Sequence, residues 1–407
     1  MSLLPVADAL ERLLAAAAPP AATETVSLHD ASGRVLAEGL RACLTQPPFD
    51  NSAMDGYALR HADIAIGAAL TVIGTSSAGH AFDGDVGPGQ TVRIFTGAPM
   101  PAGADTVLLQ EDAQVLDRQH IRPAFVPPRG RHVRPRGQDF SEGETVLREG
   151  DLLDAGRLTV AAAMNHPQLA VYARPRVAIV ATGDELVPPG TEPGRSQIIA
   201  SNSFGVAAIA REAGAGIIDL GIVGDDESAI LEAAEKAKSS GADVLVTLGG
   251  ASVGDRDLIK PALLSAGMEL DFWRIAMRPG KPLMVGTLDG MQVLGLPGNP
   301  ISSLVCSLLF LEPLVRKLAR LPARSRIVHG VTATDLAEND KRQDHLRARL
   351  TRRADGVISA EAFARQDSSM MKVFADSEGL IVRPPHAEAA KAGDACPILL
   401  LREPASP

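Results

Sequence analysis

Apolar residues near the N-terminus recur at helical spacing: Leu10, Leu13, Leu14 and Ala17 follow Pro5, with Asp8, Glu11 and Arg12 between them. This predicts an amphipathic helix and not an export signal, whose apolar run would be unbroken. A short strand is predicted over residues 33–40. From Thr45 to about Arg136 the pattern turns to short β-like runs, at 69–73 and 91–95, separated by Gly and Pro clusters. That text predicts a small all-β unit. Residues 145–147 and an Ala-rich helix over 155–164 resemble the opening segment, so the β unit reads as an insertion into a discontinuous domain. From Arg176 the chain alternates. Continuous apolar runs at 177–180, 217–222 and 244–248 suit strands buried on both faces, and helix-length segments at 202–213 and 227–238 lie between them. Strands alternating with helices in this way predict a parallel, doubly wound sheet, completed by an apolar helix over 301–318. Beyond Pro322, runs at 346–350 and 357–360 flank Asp355-Gly356, a hairpin dipeptide, and runs at 380–382 and 398–401 complete a second β domain.

The expected architecture is multidomain α/β. Residues 1–44 and 137–173 form a discontinuous α+β domain; 45–136 the inserted β domain; 174–324 the doubly wound domain; 325–407 the C-terminal β domain. A chain of 407 residues is long enough for several domains of about 150 residues. The net charge of −9 and aromatic content of 3%, with one Trp and two Tyr, argue against a nucleic-acid partner, which needs a basic face and stacking rings. Three scattered cysteines suit a reducing cytoplasm, and no histidine pair has zinc-ligand spacing. No apolar run reaches membrane-spanning length. Any metal is therefore expected to be a hard ion held by carboxylates.

Ligands of a doubly wound sheet bind beyond the carboxyl ends of its strands, where chain order reverses. Four segments fall there. Thr182-Gly183-Asp184-Glu185 offers adjacent carboxylates, either cation ligands or the start of a turn. Gly224-Asp225-Asp226 offers two more, of which one suits a helix N-cap and the other is left over. Gly249-Gly250-Ala251-Ser252-Val253-Gly254-Asp255-Arg256-Asp257 is a glycine-rich loop after a strand, a candidate cradle of backbone N–H groups. Pro297-Gly298-Asn299-Pro300 runs into a helix start. Arg274, Arg278 and Lys281 add a cationic group stiffened by Pro279 and Pro282. Acidic groups for a metal beside basic groups for an anion suit a phosphorylated small molecule with a divalent ion.

These segments together resemble the MoeA family of molybdenum cofactor biosynthesis, which includes the E domain of gephyrin. The most specific match is Pro48-Phe49-Asp50-Asn51-Ser52-Ala53-Met54-Asp55-Gly56-Tyr57-Ala58. It is followed by Ile94-Phe95-Thr96-Gly97-Ala98-Pro99-Met100-Pro101 and Val133-Arg134-Pro135-Arg136-Gly137-Gln138-Asp139, then by the four segments above in the family's order. The resemblance covers essentially the whole chain and is weakest in the last domain. It implies a molybdopterin molybdenumtransferase that takes adenylyl-molybdopterin and molybdate, inserts the metal at the dithiolene sulfurs with Mg²⁺ assisting, and releases AMP. It further implies a cytoplasmic homodimer whose active site is shared between subunits, and contact with the upstream adenylyltransferase.

Carried over by position, the family's functional carboxylates fall on Asp55, Glu185, Asp225 and Asp257, its threonine on Thr96 and a basic residue on Lys281. Glu185, Asp225 and Asp257 are the expected metal ligands. Gly249, Gly250, Ser252, Gly254, Arg274, Arg278, Gly298, Asn299, Arg347 and Ser368 are expected to bind the pterin nucleotide or molybdate. Three positions depart from the family: Arg274 and Arg278 stand where lysine is common, and Asp367 replaces a glycine before Ser368. A forked guanidinium binds oxyanions differently from an ammonium, and a carboxylate beside an anion site is unfavourable. The alternatives are a pterin-binding scaffold without turnover, and a pterin adenylyltransferase, which lacks the Asp50–Ala58 segment.

Overall fold

The computed structural model describes residues 3–249 and 258–404. They form two compact units: Thr23–Val171, and the segments before and after it together. Helix α1 (Val6–Ala16) belongs to the latter. Its apolar face, Ala9, Leu13 and Ala17, repeats every four residues and lies in the core of the doubly wound sheet, where Lys317 also donates to the Leu14 carbonyl. Sequence periodicity defines that face but not its acceptor. This is why the helix was expected with residues 17–44 and packs elsewhere.

In the unit Thr23–Val171, six strands, β1 (Gly56–Leu59), β2 (Leu70–Ser76), β3 (Gln90–Ile94), β4 (Thr106–Leu109), β5 (Ala113–Val115) and β6 (His120–Pro123), form one sheet in the order β4-β1-β3-β2-β6-β5. Strand β1 is buried on both faces: Tyr57 and Leu59 pack with Leu70, Leu108 and Ile121, whereas Ala58 packs with Ile94, Ala98 and Val107. Gly56 is required there, because a Cβ would lie 2.0 Å from the Leu108 carbonyl oxygen. Leu36 and Leu40, before this sheet, share a core with Phe140, Leu153, Met164 and Leu169, after it. Helix α2 (Ala155–Ala163) starts at Asp154, whose side chain accepts from the Arg157 N–H. The strand expected at 33–40 is reduced to isolated bridges, Val35 to Leu152 and Leu36 to Val171, and a two-residue strand, Leu40–Arg41, paired with Thr145–Leu147. Gly33 at φ +71° turns the chain at the head of this segment.

The second unit is built on β7 (Arg176–Thr182), α3 (Asn202–Glu212), β8 (Gly216–Val223), α4 (Glu227–Ser239), β9 (Val244–Leu248), α5 (Ile259–Ser265), β10 (Glu269–Trp273), β11 (Met277–Arg278), β12 (Met284–Leu288), β13 (Met291–Leu296), α6 (Pro300–Cys306) and α7 (Glu312–Leu318). The sheet order is β8-β7-β9-β13-β12-β10. The first four strands are mutually parallel; β12 is antiparallel to both its neighbours, so the sheet has a mixed edge. Chain order reverses across β7, which places the ligand crevice at the carboxyl ends of β7 and β9. The expected helix at 301–318 is interrupted by one π turn, Ser307–Leu311, between α6 and α7. Pro313 has no N–H to offer the Leu309 carbonyl, so the regular ladder breaks there.

The C-terminal strands β14 (Ile327–Thr332), β15 (Gln343–Arg352), β16 (Ile358–Ala362), β17 (Gly379–Arg383) and β18 (Ala395–Leu400) close into a barrel, since β15 pairs with both β16 and β17. A short helix, α8 (Met371–Ala375), precedes β17. Strand β11 of the doubly wound domain pairs with β15, Met277 opposite Gln343 and Arg278 opposite Asp344. Leu380, Val382 and Leu399 join the doubly wound core. Among the described residues no helix is long and apolar enough to cross a membrane.

Candidate active site

Three strand ends meet backbone to backbone at the crevice. Gly249 sits at φ +106°, and a Cβ there would lie 2.8 Å from the Thr182 carbonyl oxygen. Its N–H donates to the Leu296 carbonyl at 3.2 Å, and Thr182 Oγ1 donates to the Leu248 carbonyl. Gly298 approaches Gly249 closely enough that its own Cβ would be 3.6 Å from the Gly249 Cα. The Gly249 close approach and positive φ require a glycine, whereas the 3.6 Å at Gly298 is ordinary contact. Gly250, Ser252, Gly254 and Asp257, expected in the same loop, lie outside the described residues.

The carboxylates gather on the same edge. Asp226 is the N-cap of α4, accepting from the Ala229 N–H at 3.0 Å and from Ser228. These bonds, the Ser228 hydroxyl first, hold its carboxyl below the usual range. Asp225 is thereby left over, and its N–H donates to Asp184 Oδ1 at 3.1 Å. The Glu185 carboxylate folds back over Gly183, where a Cβ would meet it at 2.4 Å. Neither Asp184, Glu185 nor Asp225 has an ion-pair partner among the described residues. Their donor set is all-oxygen and anionic, which fits a hard divalent cation. Among the described residues no group of three such ligands is assembled; the third expected ligand, Asp257, is not one of them.

The cations differ in availability. Arg278 is paired with Asp344 and, at 3.7 Å, with Asp340; the Asp344 bond holds its proton more tightly than usual. The guanidinium of Arg274 lies 4.4 Å from the Trp273 ring, which also carries the Lys260 ammonium at 3.8 Å, a cation–π arrangement. Lys281 has no ion-pair partner among the described residues.

Arg347, on β15, is 2% exposed. Among the described residues, its Nε and Nη2 are buried without a hydrogen-bond partner. Burial lowers its pKa, opposed by the charges of Asp344 and Asp367. These two nitrogens form the side-on fork of a guanidinium, the edge that takes two oxygens of one oxyanion. Gln366, a residue the sequence did not single out, holds this strand: it accepts from the Arg347 N–H at 2.9 Å and donates to the Arg347 carbonyl at 3.0 Å. Ser368 accepts at Oγ from Asn299 Nδ2 at 3.1 Å, and its carbonyl accepts from the Ile301 N–H at 3.2 Å. The start of α6 was expected to offer its N–H groups to an anion. The Ile301 N–H is instead taken by Ser368, and the Gly298 carbonyl accepts from Asn202. On the same strand, His345 is fully buried and its pKa falls to about 4 through desolvation, against the Arg278 backbone and Asp344, which favour the proton.

In the other unit, Asp55 and Thr96 stand 41 positions apart and meet directly. Asp55 Oδ1 accepts from the Thr96 N–H and from Thr96 Oγ1, each at 2.8 Å. The backbone bond, then the hydroxyl, hold the Asp55 carboxyl below its ordinary range, with Arg93 adding its charge. Arg93, also missed in the sequence, lies 5.0 Å from the rings of both Tyr57 and Phe95.

Comparison with known proteins agrees with this layout. Residues 4–165 match the MoeA N-terminal region (domains I and II), residues 178–317 the probable molybdopterin binding domain, and residues 329–401 the MoeA C-terminal region (domain IV). A molybdopterin molybdenumtransferase of Haemophilus influenzae is 34% identical over 365 residues, covering 89% of this chain and 90% of that one. One from a Nostoc species is 41% identical over 310 residues, covering 74% and 70%. A solved molybdopterin biosynthesis MoeA protein from Pyrococcus horikosii superposes with a TM-score of 0.82 at 29% identity, over 99% of this chain and all of that one. On sequence, domain content and fold together, the chain belongs to the MoeA family.

Proposed function

We propose that this chain is a molybdopterin molybdenumtransferase, which inserts molybdenum from molybdate into adenylylated molybdopterin and releases AMP. The observation that carries the reading is the buried, unpartnered fork of Arg347. A guanidinium is not left dehydrated without reason, because an uncompensated buried charge is costly; a tetrahedral oxyanion supplies the missing acceptors. Lys281, free of ion pairs among the described residues, adds a mobile positive charge on the neighbouring segment. The tight backbone approach at Gly249, with Gly298 beside it, leaves no side chain between the nucleotide's phosphates and the strand ends.

Both reactants are anions and repel each other, so charge compensation is the first task of the site. Glu185 and Asp225, with Asp257, would hold Mg²⁺. When bound, the ion neutralises phosphate oxygens and polarises the scissile P–O bond. Asp55 stays charged and oriented by Thr96, suited to accept a hydrogen bond from a reactant. In this proposal the protein is a cytoplasmic homodimer, and a second copy supplies Asp55 and Thr96. The upstream adenylyltransferase delivers the substrate.

The test follows AMP release from adenylyl-molybdopterin as molybdate is titrated in the presence of Mg²⁺. Molybdate-dependent AMP release is expected for the native chain, with severe loss in Glu185→Ala and Arg347→Gln. Near-normal turnover in both variants would overturn the assignment.

A further inference from the structure

The doubly wound sheet has a second opening at its other pole. The candidate active site lies at the carboxyl ends of β7 and β9, whereas a cavity of about 550 Å³ lies at the amino ends of β9 and β13. Ala16 and Ala18 at the end of α1, Leu318 of α7 and Met291 give it an apolar wall. The cation on its rim is engaged: Lys238 pairs with Asp289 at 2.6 Å and with Glu235 at 3.3 Å. Two other groups are not. Gln292, on β13 opposite Val244 and Thr287, is 5% exposed, and its side-chain amide makes no hydrogen bond to any described residue. It shares the face of Val244 and Leu294, which α1 and α7 cover, so it points toward the apolar wall. Asp243 also lines the cavity and is half-buried. Its Oδ2 accepts from the Arg176 N–H at 2.7 Å, while Oδ1 accepts from no described residue. Burial pushes its carboxyl up, against the Arg176 bond and charge. The two residues are neighbours across the sheet, since the Gln292 N–H donates to the Asp243 carbonyl at 2.9 Å.

We infer that this cavity binds a small planar lactam, a heterocycle whose edge sets N–H donors beside a carbonyl acceptor, as in guanine-type bases. A buried primary amide without partners is unfavourable. It both donates and accepts, so its complement is an edge that does both. The unengaged oxygen of Asp243 adds an acceptor and no donor, which calls for a second N–H on that edge. With Lys238 neutralised by Asp289 and the Asp243 carboxylate nearby, the site repels phosphate and selects a ligand without one. The apolar wall supplies the surface for the ring, and the Met291 thioether suits an aromatic one. None of the residues assigned to the proposed reaction takes part.

The test is calorimetric titration of the full-length chain with guanosine, and with guanosine methylated at the lactam nitrogen as control. Saturable guanosine binding is expected, weakened roughly tenfold or more by the methyl group, which removes a donor from the edge. Gln292→Leu, an apolar side chain of similar size, is expected to weaken guanosine binding roughly tenfold without lowering the melting temperature. It should leave molybdate-dependent AMP release unchanged. If Gln292→Leu does not fold, Asp243→Asn takes its place: it keeps an acceptor for Arg176, sets a donor against the ligand's N–H, and should weaken binding severalfold. Absence of saturable guanosine binding, equal binding of both nucleosides, or native binding in the folded variant overturns the inference.

Discussion

Arg278, at the rim of the doubly wound domain, and Arg347, in the C-terminal barrel, are both arginines expected to meet an anion, and their surroundings are opposite. The Arg278 side chain is 46% exposed but already neutralised by Asp344, itself 7% exposed. Arg347 is almost wholly buried yet keeps two donors unspent among the described residues. Exposure therefore does not measure availability. An accessible charge can be engaged by the protein, whereas a buried one can be held in reserve for a ligand, at a cost in stability that only ligand binding offsets.

This contrast can be broken most decisively at Arg347. Arg347→Gln should reduce kcat/KM for AMP release by roughly a hundredfold or more, the scale expected when a charge-assisted donor to a reacting group is removed. Arg347→Met should be equally inactive but melt at a higher temperature than the native chain, because a dehydrated, unpartnered guanidinium has been replaced by an apolar chain of similar length. A lower melting temperature would show that the fork has a structural partner. The opposite sign is expected at the rim. Arg278→Met leaves Asp344 buried without its cation and should cost about 2 kcal/mol in denaturant unfolding.

A smaller effect concerns pH. The folded pKa of His345 is about 4, below the value of about 6.5 for an unfolded histidine. Its contribution to stability is therefore complete above pH about 6.5 and is lost as pH falls through about 4, since the unfolded chain takes up the proton first. His345→Leu should flatten the stability curve across that window; an unchanged slope would remove histidine burial as the cause. The smallest effect is expected at Asp55. Thr96→Val removes one of two hydrogen bonds to its carboxylate and should raise the Asp55 pKa toward the ordinary range. Rate should fall by roughly tenfold or less, with any acid limb of the pH–rate profile moving to higher pH.

Much of this arrangement is legible in the chain. The runs at 177–180 and 244–248 mark strands of the doubly wound sheet, because continuous apolar stretches of that length satisfy a strand covered on both faces. Residues 217–222 are also a strand but form the sheet edge, with Asp219 and Gly221 exposed, and are not buried on both faces as expected. The choice between Asp225 and Asp226 as cap was left open by sequence and is decided by the bonds at Asp226. Two adjacent aspartates have equal capping propensity, and only the entry angle of the chain separates them. Residues 269–273 and 284–296 were not read as strands, and they build the mixed edge of the sheet. Gln366, His345 and Arg93 were missed as well, since single polar residues carry no periodic signal and acquire meaning only from what they touch.

The amino-acid sequence alone determined the strands at 177–180 and 244–248 and the residue types of the loops at the strand ends, because periodicity, glycine placement and motif spacing are local properties. Tertiary structure alone decided which charges are spent. Whether Arg278 is neutralised and whether Ile301 still has an N–H to offer depend on partners at least 61 residues away, and Arg347 is dehydrated only by the fold that buries it. Electrostatic and hydrogen-bond energies depend on distance and desolvation in space, and no spacing along the chain encodes either.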